Sequence, residues 1–439
     1  MSKHPFYRLL SILLLSLLAL TSRAMAQPIT IEITGASESA IPIAIVPFQV
    51  TGNAPAPPQD VAAIVSANLR RSGKFAPLAT SDMLSRPARM DQVQFPQWRA
   101  LGVDALVVGS IQPMSTGDYQ LRFELLDTYR NSRMLEKAYR VSASALRDLA
   151  HNISDLIYEA ITGQTGAFNT KILYVSTSES NGKRQYQLIH ADADGERPQA
   201  LLTSTEPIMS PAWSADRQQV AYVSFEGGRA EVWVQPVYTS ERPVPRRKVA
   251  SFPGLNSAPS WAPDGRRLAL TLSKDGNPDI YVLDLDTEQL TQITRHPAID
   301  TTPVWTPDGR SIIFMSDRHG GAQIYRVSAK GGEPQRLTTT GRYNVDPAIS
   351  ADGKQLAMVH RSDGGDQIAV LDLETEQLRV LTDGPLDEGP SFAPNGAMII
   401  YAMSRGNGRR LATISLYGKV NQPLSLTHGN ARSVAWSPR

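Results

Sequence analysis

The sequence predicts an α/β N-terminal domain followed by an all-β, six-bladed β-propeller. Three observations lead there. A motif centred on Pro-x-Trp-x-x-Asp-Gly returns at spacings of 48, 44, 44, 43 and 44 residues. One repeat is divided between the two ends of the repeated region. The first third of the chain shows no such period and mixes helical with extended patterns.

The copies begin at Pro211-Ala212-Trp213-Ser214-Ala215-Asp216 and continue at Pro259-Ser260-Trp261-Ala262-Pro263-Asp264-Gly265 and Pro303-Val304-Trp305-Thr306-Pro307-Asp308-Gly309. Ile349 and Phe392 take the aromatic position in two further copies, and Val434-Ala435-Trp436-Ser437-Pro438 is a last, truncated one. Each unit breaks into four short apolar runs separated by Gly and Asp-Gly turns. Asp-Gly is a strong hairpin signal, read here as a turn with two positive-φ positions. Four strands in about 44 residues make a propeller blade. Strands around Ile172–Val175, Gln187–His190 and Ala200–Thr203 lack a Trp strand, and Ser433–Trp436 is a Trp strand without partners. Joined, they give a sixth blade and a closed ring with no open edge. Trp213, Trp261, Trp305 and Trp436 are expected in the core of their own blades.

Residues 1–26 read as a signal peptide: Lys3, His4 and Arg8, an apolar run from Leu9 to Leu20, then Ala24-Met25-Ala26. The run is too short to cross a bilayer, so an exported protein without membrane insertion is expected. Removing this segment takes the formal charge from +2 to −1, which leaves no basic face for nucleic acid. Absence of cysteine excludes disulfides and thiolate chemistry.

Residues 27–165 form the N-terminal domain, and residues 166–439 the propeller. In the first, Ile43–Val46 reads as a buried strand ended by Pro47, and Val61–Arg71 as a helix. Gln97–Leu101 is a short helix and Ala105–Val108 a strand ending at Gly109. Tyr119–Leu126 and Met134–Val141 form an antiparallel pair. A final helix carries Leu146, Leu149, Ile153, Ile157 and Ile161 on one face and stops at Gly163. Gly163-Gln164-Thr165-Gly166 then reads as a hinge, with relative domain motion expected.

Catalytic patterns are missing. No His-Glu-x-x-His, Gly-x-Ser-x-Gly or P-loop occurs. Asp216, Asp264, Asp308 and Asp352 recur at one turn position and read as turn formers. Asp192-Ala193-Asp194-Gly195 lacks the remaining ligands of a calcium loop and reads as a turn as well. Function is therefore expected where six inter-blade loops converge on one channel mouth. There Leu255, Ile299 and Tyr343 mix with Arg342, Asp346, Asp387, Glu388 and Arg432, as in a protein-binding patch with a charged rim. A propeller lyase or glycan hydrolase, or a carbohydrate-binding propeller, is the alternative reading.

The whole mature pattern resembles the TolB family of the Tol-Pal envelope system. Ile43-Ala44-Ile45-Val46-Pro47-Phe48, Arg71-Ser72-Gly73-Lys74-Phe75, Leu101–Gly109 and Met209–Ser214 are its family-like stretches. The resemblance implies a periplasmic, monomeric, non-enzymatic adaptor without cofactor or metal, serving outer-membrane integrity and envelope constriction at cell division. It implies binding of the Pal lipoprotein at the mouth, through Met209, Leu255, Asn256, Ala258, Thr301, Thr302, Arg342, Tyr343, Asp346, Glu388 and Arg432. Leu255 and Thr302 stand where other members can carry His and Glu. It further implies that Gln27–Ser39, with Ile29, Ile31, Glu32 and Ile33, communicates with TolA. Other outer-membrane or peptidoglycan-associated proteins are further partners it suggests. This segment would pack between the domains or be released, with binding at the mouth biasing the choice.

Overall fold

The structure, a computed structural model, describes residues 40–51, 57–180, 182–237, 245–406, 408–416, 420–426 and 430–439. The signal peptide and the 27–39 segment, with Ile29, Ile31, Glu32 and Ile33, lie outside them.

The N-terminal domain is one mixed sheet with helices against it. Strand β1 (Ile41–Ile45) lies between β3 (Phe75–Pro77) and β4 (Ala105–Pro113), parallel to both. The short β2 (Gln49–Val50) extends alongside β4. Strands β5 (Asp118–Asp127) and β6 (Ser132–Ser142) continue the sheet antiparallel. The parallel pair β1 and β3 is joined through helix α1 (Val61–Arg71), as parallel strands require a crossover. Asp60 caps α1, its Oδ1 accepting the Ala63 N–H at 3.0 Å. Helix α2 (Phe95–Ala100) starts two residues earlier than expected because Pro96 suits a first turn. Helix α3 (Leu146–Thr162) ends at Gly163 with φ 73°.

Strand β4 does not stop at Gly109. It runs to Pro113 because that glycine permits a close approach: a Cβ there would meet the Arg122 carbonyl oxygen at 2.7 Å and the Phe48 ring at 3.0 Å.

Among the described residues, six four-stranded antiparallel sheets follow, and the last is built as expected from Asn430–Trp436 with Lys171–Ser180, Lys183–Asp192 and Gln199–Ser204. Two details differ from expectation. In the Asp-Gly turns only the glycine takes positive φ, for example Gly265 at 70° with its N–H on the Ala262 carbonyl. The preceding Asp is instead fixed by its own side chain, as Asp264 Oδ1 accepts the Arg266 N–H at 2.9 Å. The tryptophans share a core with the previous blade as well as with their own. Trp261 lies against Ala221, Val223 and Val232 of the previous blade, and Trp305 against Ala269, Ile280 and Val282. A ring on the innermost strand meets its neighbour because sheets converge towards the axis.

The junction is not a loose hinge. One apolar core runs from Val65, Leu69, Ile153 and Ile157 through Phe168 into Ile189, Met398 and Trp436. The Asp155 carboxylate accepts the Phe168 and Asn169 N–H groups at 2.8 and 3.2 Å. Ser415 donates to the Ser72 carbonyl at 2.6 Å, and Asn395 to that of Thr165 at 3.0 Å.

Asp192, read from sequence as a turn former, anchors the same junction. Its buried carboxylate takes Lys171 at 2.6 Å, Arg197 at 2.8 Å and Arg147 of α3 at 3.1 Å. Arg147 also reaches Asp194 at 2.5 Å, and Arg197 pairs with Asp148. Burial pushes the Asp192 pKa up, but hydrogen bonds from His151, Arg197 and Lys171 outweigh it and hold the group far below the usual carboxylate range. All these contacts fall at the Asp-Gly end of blades five and six. The inter-blade loops converge at the opposite end of the channel, where the described residues of the N-terminal domain make none of these contacts.

Candidate partner-binding site at the channel mouth

Each inner strand enters from the mouth, and the four positions before the motif proline have distinct duties. Four residues before it stand Leu255, Ile299, Tyr343 and Leu386. Leu255, Ile299 and Leu386 are 37%, 46% and 37% exposed, and Met209, two before its proline, is 42% exposed. Four of the seven large exposed hydrophobics among the described residues thus gather on one face. Large apolar side chains clustered in the open mark interaction surfaces.

Three residues before the proline, the side chain is turned inward. Asn256, Asp300, Asn344 and Asp387 are all essentially buried. Asn256, expected to meet a partner, has no surface to offer. It accepts the Phe252 N–H at 2.8 Å and donates to the Phe252 carbonyl at 2.7 Å, so it fixes the loop that displays Leu255. Asp300 does the same work beneath Ile299 through Arg318, at 2.8 and 3.0 Å. Asn344 binds His360 Nδ1 at 2.8 Å. The recurrence of Asn or Asp at this position in four copies is the sequence signal that would have found these supports.

One residue before the proline, the backbone turns left-handed in every blade. Ser210, Ala258, Thr302, Asp346, Gly389 and Ser433 have φ between 49° and 59°. The register of the inner pair shifts at the same place each time, as between Thr301 and Val304. This is a bulge, and proline fits it because no ladder hydrogen bond is asked of its nitrogen. Five of the six are not glycine, at a cost on the order of 1–2 kcal/mol each. Ser210, Ala258, Thr302, Asp346 and Gly389 line a channel cavity of about 570 Å³.

Thr301 and Thr302 are half-buried at the channel wall, Thr301 within 3.3 Å of the Thr271 hydroxyl. Ala258 lies on the same wall. Arg342 is exposed, whereas the Tyr343 ring is covered by Arg361, whose guanidinium carbon sits 3.9 Å from the ring centroid. That contact removes the aromatic platform a sugar would need. Glu388 is paired with Arg409. Arg432 lies over Tyr186. Asp346 is pushed up to about 6, chiefly by burial and secondly by the charge of Glu388, against a hydrogen bond from the Gly389 N–H. The mouth thus gathers Met209, Leu255, Ala258, Thr301, Thr302, Arg342, Tyr343, Asp346, Glu388 and Arg432, but not an exposed Asn256.

A three-residue group of metal-ligating type, His151, Asp192 and Asp194, sits at the domain junction instead. The Asp192 oxygens are already taken by three cationic side chains, an arrangement that opposes a further cation.

A family model described as the TolB amino-terminal domain matches residues 29–134, and one described as the TolB beta propeller domain matches residues 158–439. The chain belongs to the TolB family. It is 48% identical over 439 residues, the whole of both chains, to the Tol-Pal system protein TolB of Nitrosococcus oceani. It is 52% identical to that of Alcanivorax borkumensis over 93% of this chain and 92% of the relative. The crystal structure of TolB from Acinetobacter baumannii superposes with a TM-score of 0.83 at 38% identity, covering 93% of this chain and 99% of that one. TolB membership makes the protein a non-enzymatic component of the Tol-Pal system.

Proposed function

We propose that the protein is a periplasmic adaptor that binds the Pal lipoprotein at the channel mouth and TolA through Gln27–Ser39, in support of outer-membrane integrity and constriction at division. The division of labour follows the proposed boundaries, with residues 27–165 carrying the TolA-directed segment and residues 166–439 the mouth. The observation that carries the reading is the set of apolar side chains, Met209, Leu255, Ile299 and Leu386, exposed among the described residues on the mouth face. Buried Asn256 and Asp300 hold the two loops that present Leu255 and Ile299, so the patch is preorganised, which lowers the cost of binding.

Calorimetry of residues 27–439 against the soluble domain of the same organism's Pal tests it. One-to-one binding is expected, weakened at least tenfold by Leu255→Asp with Ile299→Asp, since each buried aliphatic side chain contributes about 1.5–3 kcal/mol. Unchanged affinity in that variant would overturn the placement. Deleting Gln27–Ser39 is expected to abolish TolA binding and leave the propeller's melting transition in place; TolA binding that survives would refute the second half.

A further inference from the structure

The mouth has a charged recess that its apolar ring does not explain. Between blades five and six, the hairpin ends of strands Met398–Arg405 and Gly408–Ser415, those of Lys171–Ser180 and Lys183–Asp192, and the inner strand Asn430–Trp436 enclose a cavity of about 370 Å³. Arg184, Arg409 and Arg432 line it together with Thr177, Ser404 and Asn430. Arg409 is neutralised by Glu388. Arg432 only overhangs the Tyr186 ring, 6.0 Å from its centroid. Among the described residues neither Arg184 nor Arg432 has a carboxylate partner, and the Thr177 hydroxyl oxygen is buried there without a hydrogen-bond partner. Two unpaired guanidiniums and an unused hydroxyl in one recess are a donor set without its acceptor. Arginine presents a planar fork that matches a carboxylate and stays charged at any physiological pH.

We propose that this recess receives the side-chain carboxylates of an acidic segment of the protein that docks on the mouth. The inference rests on the mouth being a partner face and adds the chemistry of one contact. The recess opens onto that face, because Arg432 and Glu388 occupy the same inner-strand position as Met209 and Thr301 in other blades. A chain segment can place acid on this side alone. A flat anionic surface would bring the same charge over the half-buried Asp346 as well, where it is repelled. The recess therefore sets the rotation of the partner about the channel axis, as rim charges set register and encounter rate.

The test is fluorescence anisotropy of labelled octaglutamate with the full mature chain at low salt. Saturable binding is expected, weakened at least tenfold by Arg184→Glu with Arg432→Glu, less by the two Arg→Gln changes, and little changed by the uncharged replacement Leu255→Ala with Ile299→Ala, since added charge on the mouth would act at long range in low salt. Equal affinity in the charge-reversed variant would overturn the inference. So would tighter binding to phosphatidylglycerol vesicles than to the peptide. The two readings fail separately. Pal binding that ignores the charge reversal removes this inference and leaves the mouth. Octaglutamate binding without any Pal binding removes the mouth as the Pal site and leaves the recess.

Discussion

Asp346 gives the sharpest test of the energetics of the channel. Its carboxyl is half-buried on the channel wall, in left-handed backbone with φ 50°. Burial, with the Glu388 charge second, lifts its pKa from 3.8 to about 6. A group whose folded value is raised in this way binds its proton more tightly when folded. For an acid the sign is then fixed: ionised Asp346 costs stability at high pH, and the cost disappears as pH falls below the unfolded value. At about 1.4 kcal/mol per unit the full cost is about 3 kcal/mol above pH 7, with about 1 kcal/mol left at pH 4.5. Asp346→Asn removes the charge, keeps an acceptor for the Gly389 N–H and tolerates left-handed backbone. It is expected to raise the propeller melting temperature by several degrees at pH 7.5 and by much less at pH 4.5. Scanning calorimetry of both proteins across pH 4–8 measures this. A shift of equal size at both ends would show that packing, not ionisation, controls the site.

Asp192→Asn should cost about 3–5 kcal/mol at pH 7, because three cationic groups lose a buried counter-charge. The depressed pKa fixes the pH window: the native contribution is complete above the unfolded value near 4 and is lost as pH falls further. Denaturant titration should therefore show the two proteins converging below pH 4. Trp305→Ala should cost about 3–5 kcal/mol. Hydrogen exchange should rise in Arg267–Leu272 and Asp279–Asp284 of the preceding blade as well as in its own, and exchange confined to its own blade would contradict inter-blade packing.

What was legible in the sequence was whatever a few neighbouring residues decide. The blade count followed from the Trp and Asp-Gly spacing, and ring closure from Trp436 lacking partner strands, since both are properties of contiguous segments. Helix α1 was placed to the residue because its stripe of Val61, Ile64, Val65 and Leu69 is local. Gly109 misled because a glycine marks either an end or a close approach, and the Phe48 ring that decides between them lies 61 residues upstream. Glycines around 163–166 likewise looked like a hinge, yet Asp155 and a shared core fix that stretch. Asp192 looked like a turn former because two of its partners, Arg147 and Lys171, are distant in sequence. At the mouth, the loops were legible and the direction of each side chain was not. The exposed Leu255 and the buried Asn256 are neighbours, and only the bulge at each proline determines which one faces out.

The closing blade also bears on the order of events in synthesis. Its inner strand, Asn430–Trp436, is made after every other described strand, yet it pairs with Lys171–Ser180, made some 250 residues earlier. Until it arrives, the strand Lys171–Ser180 keeps an unpaired edge and blade five lacks its neighbour. A chain stalled before this strand would carry five complete blades and still expose the open edge of Lys171–Ser180. Such a product is expected to be removed by proteolysis or to aggregate rather than persist as a slightly shortened protein.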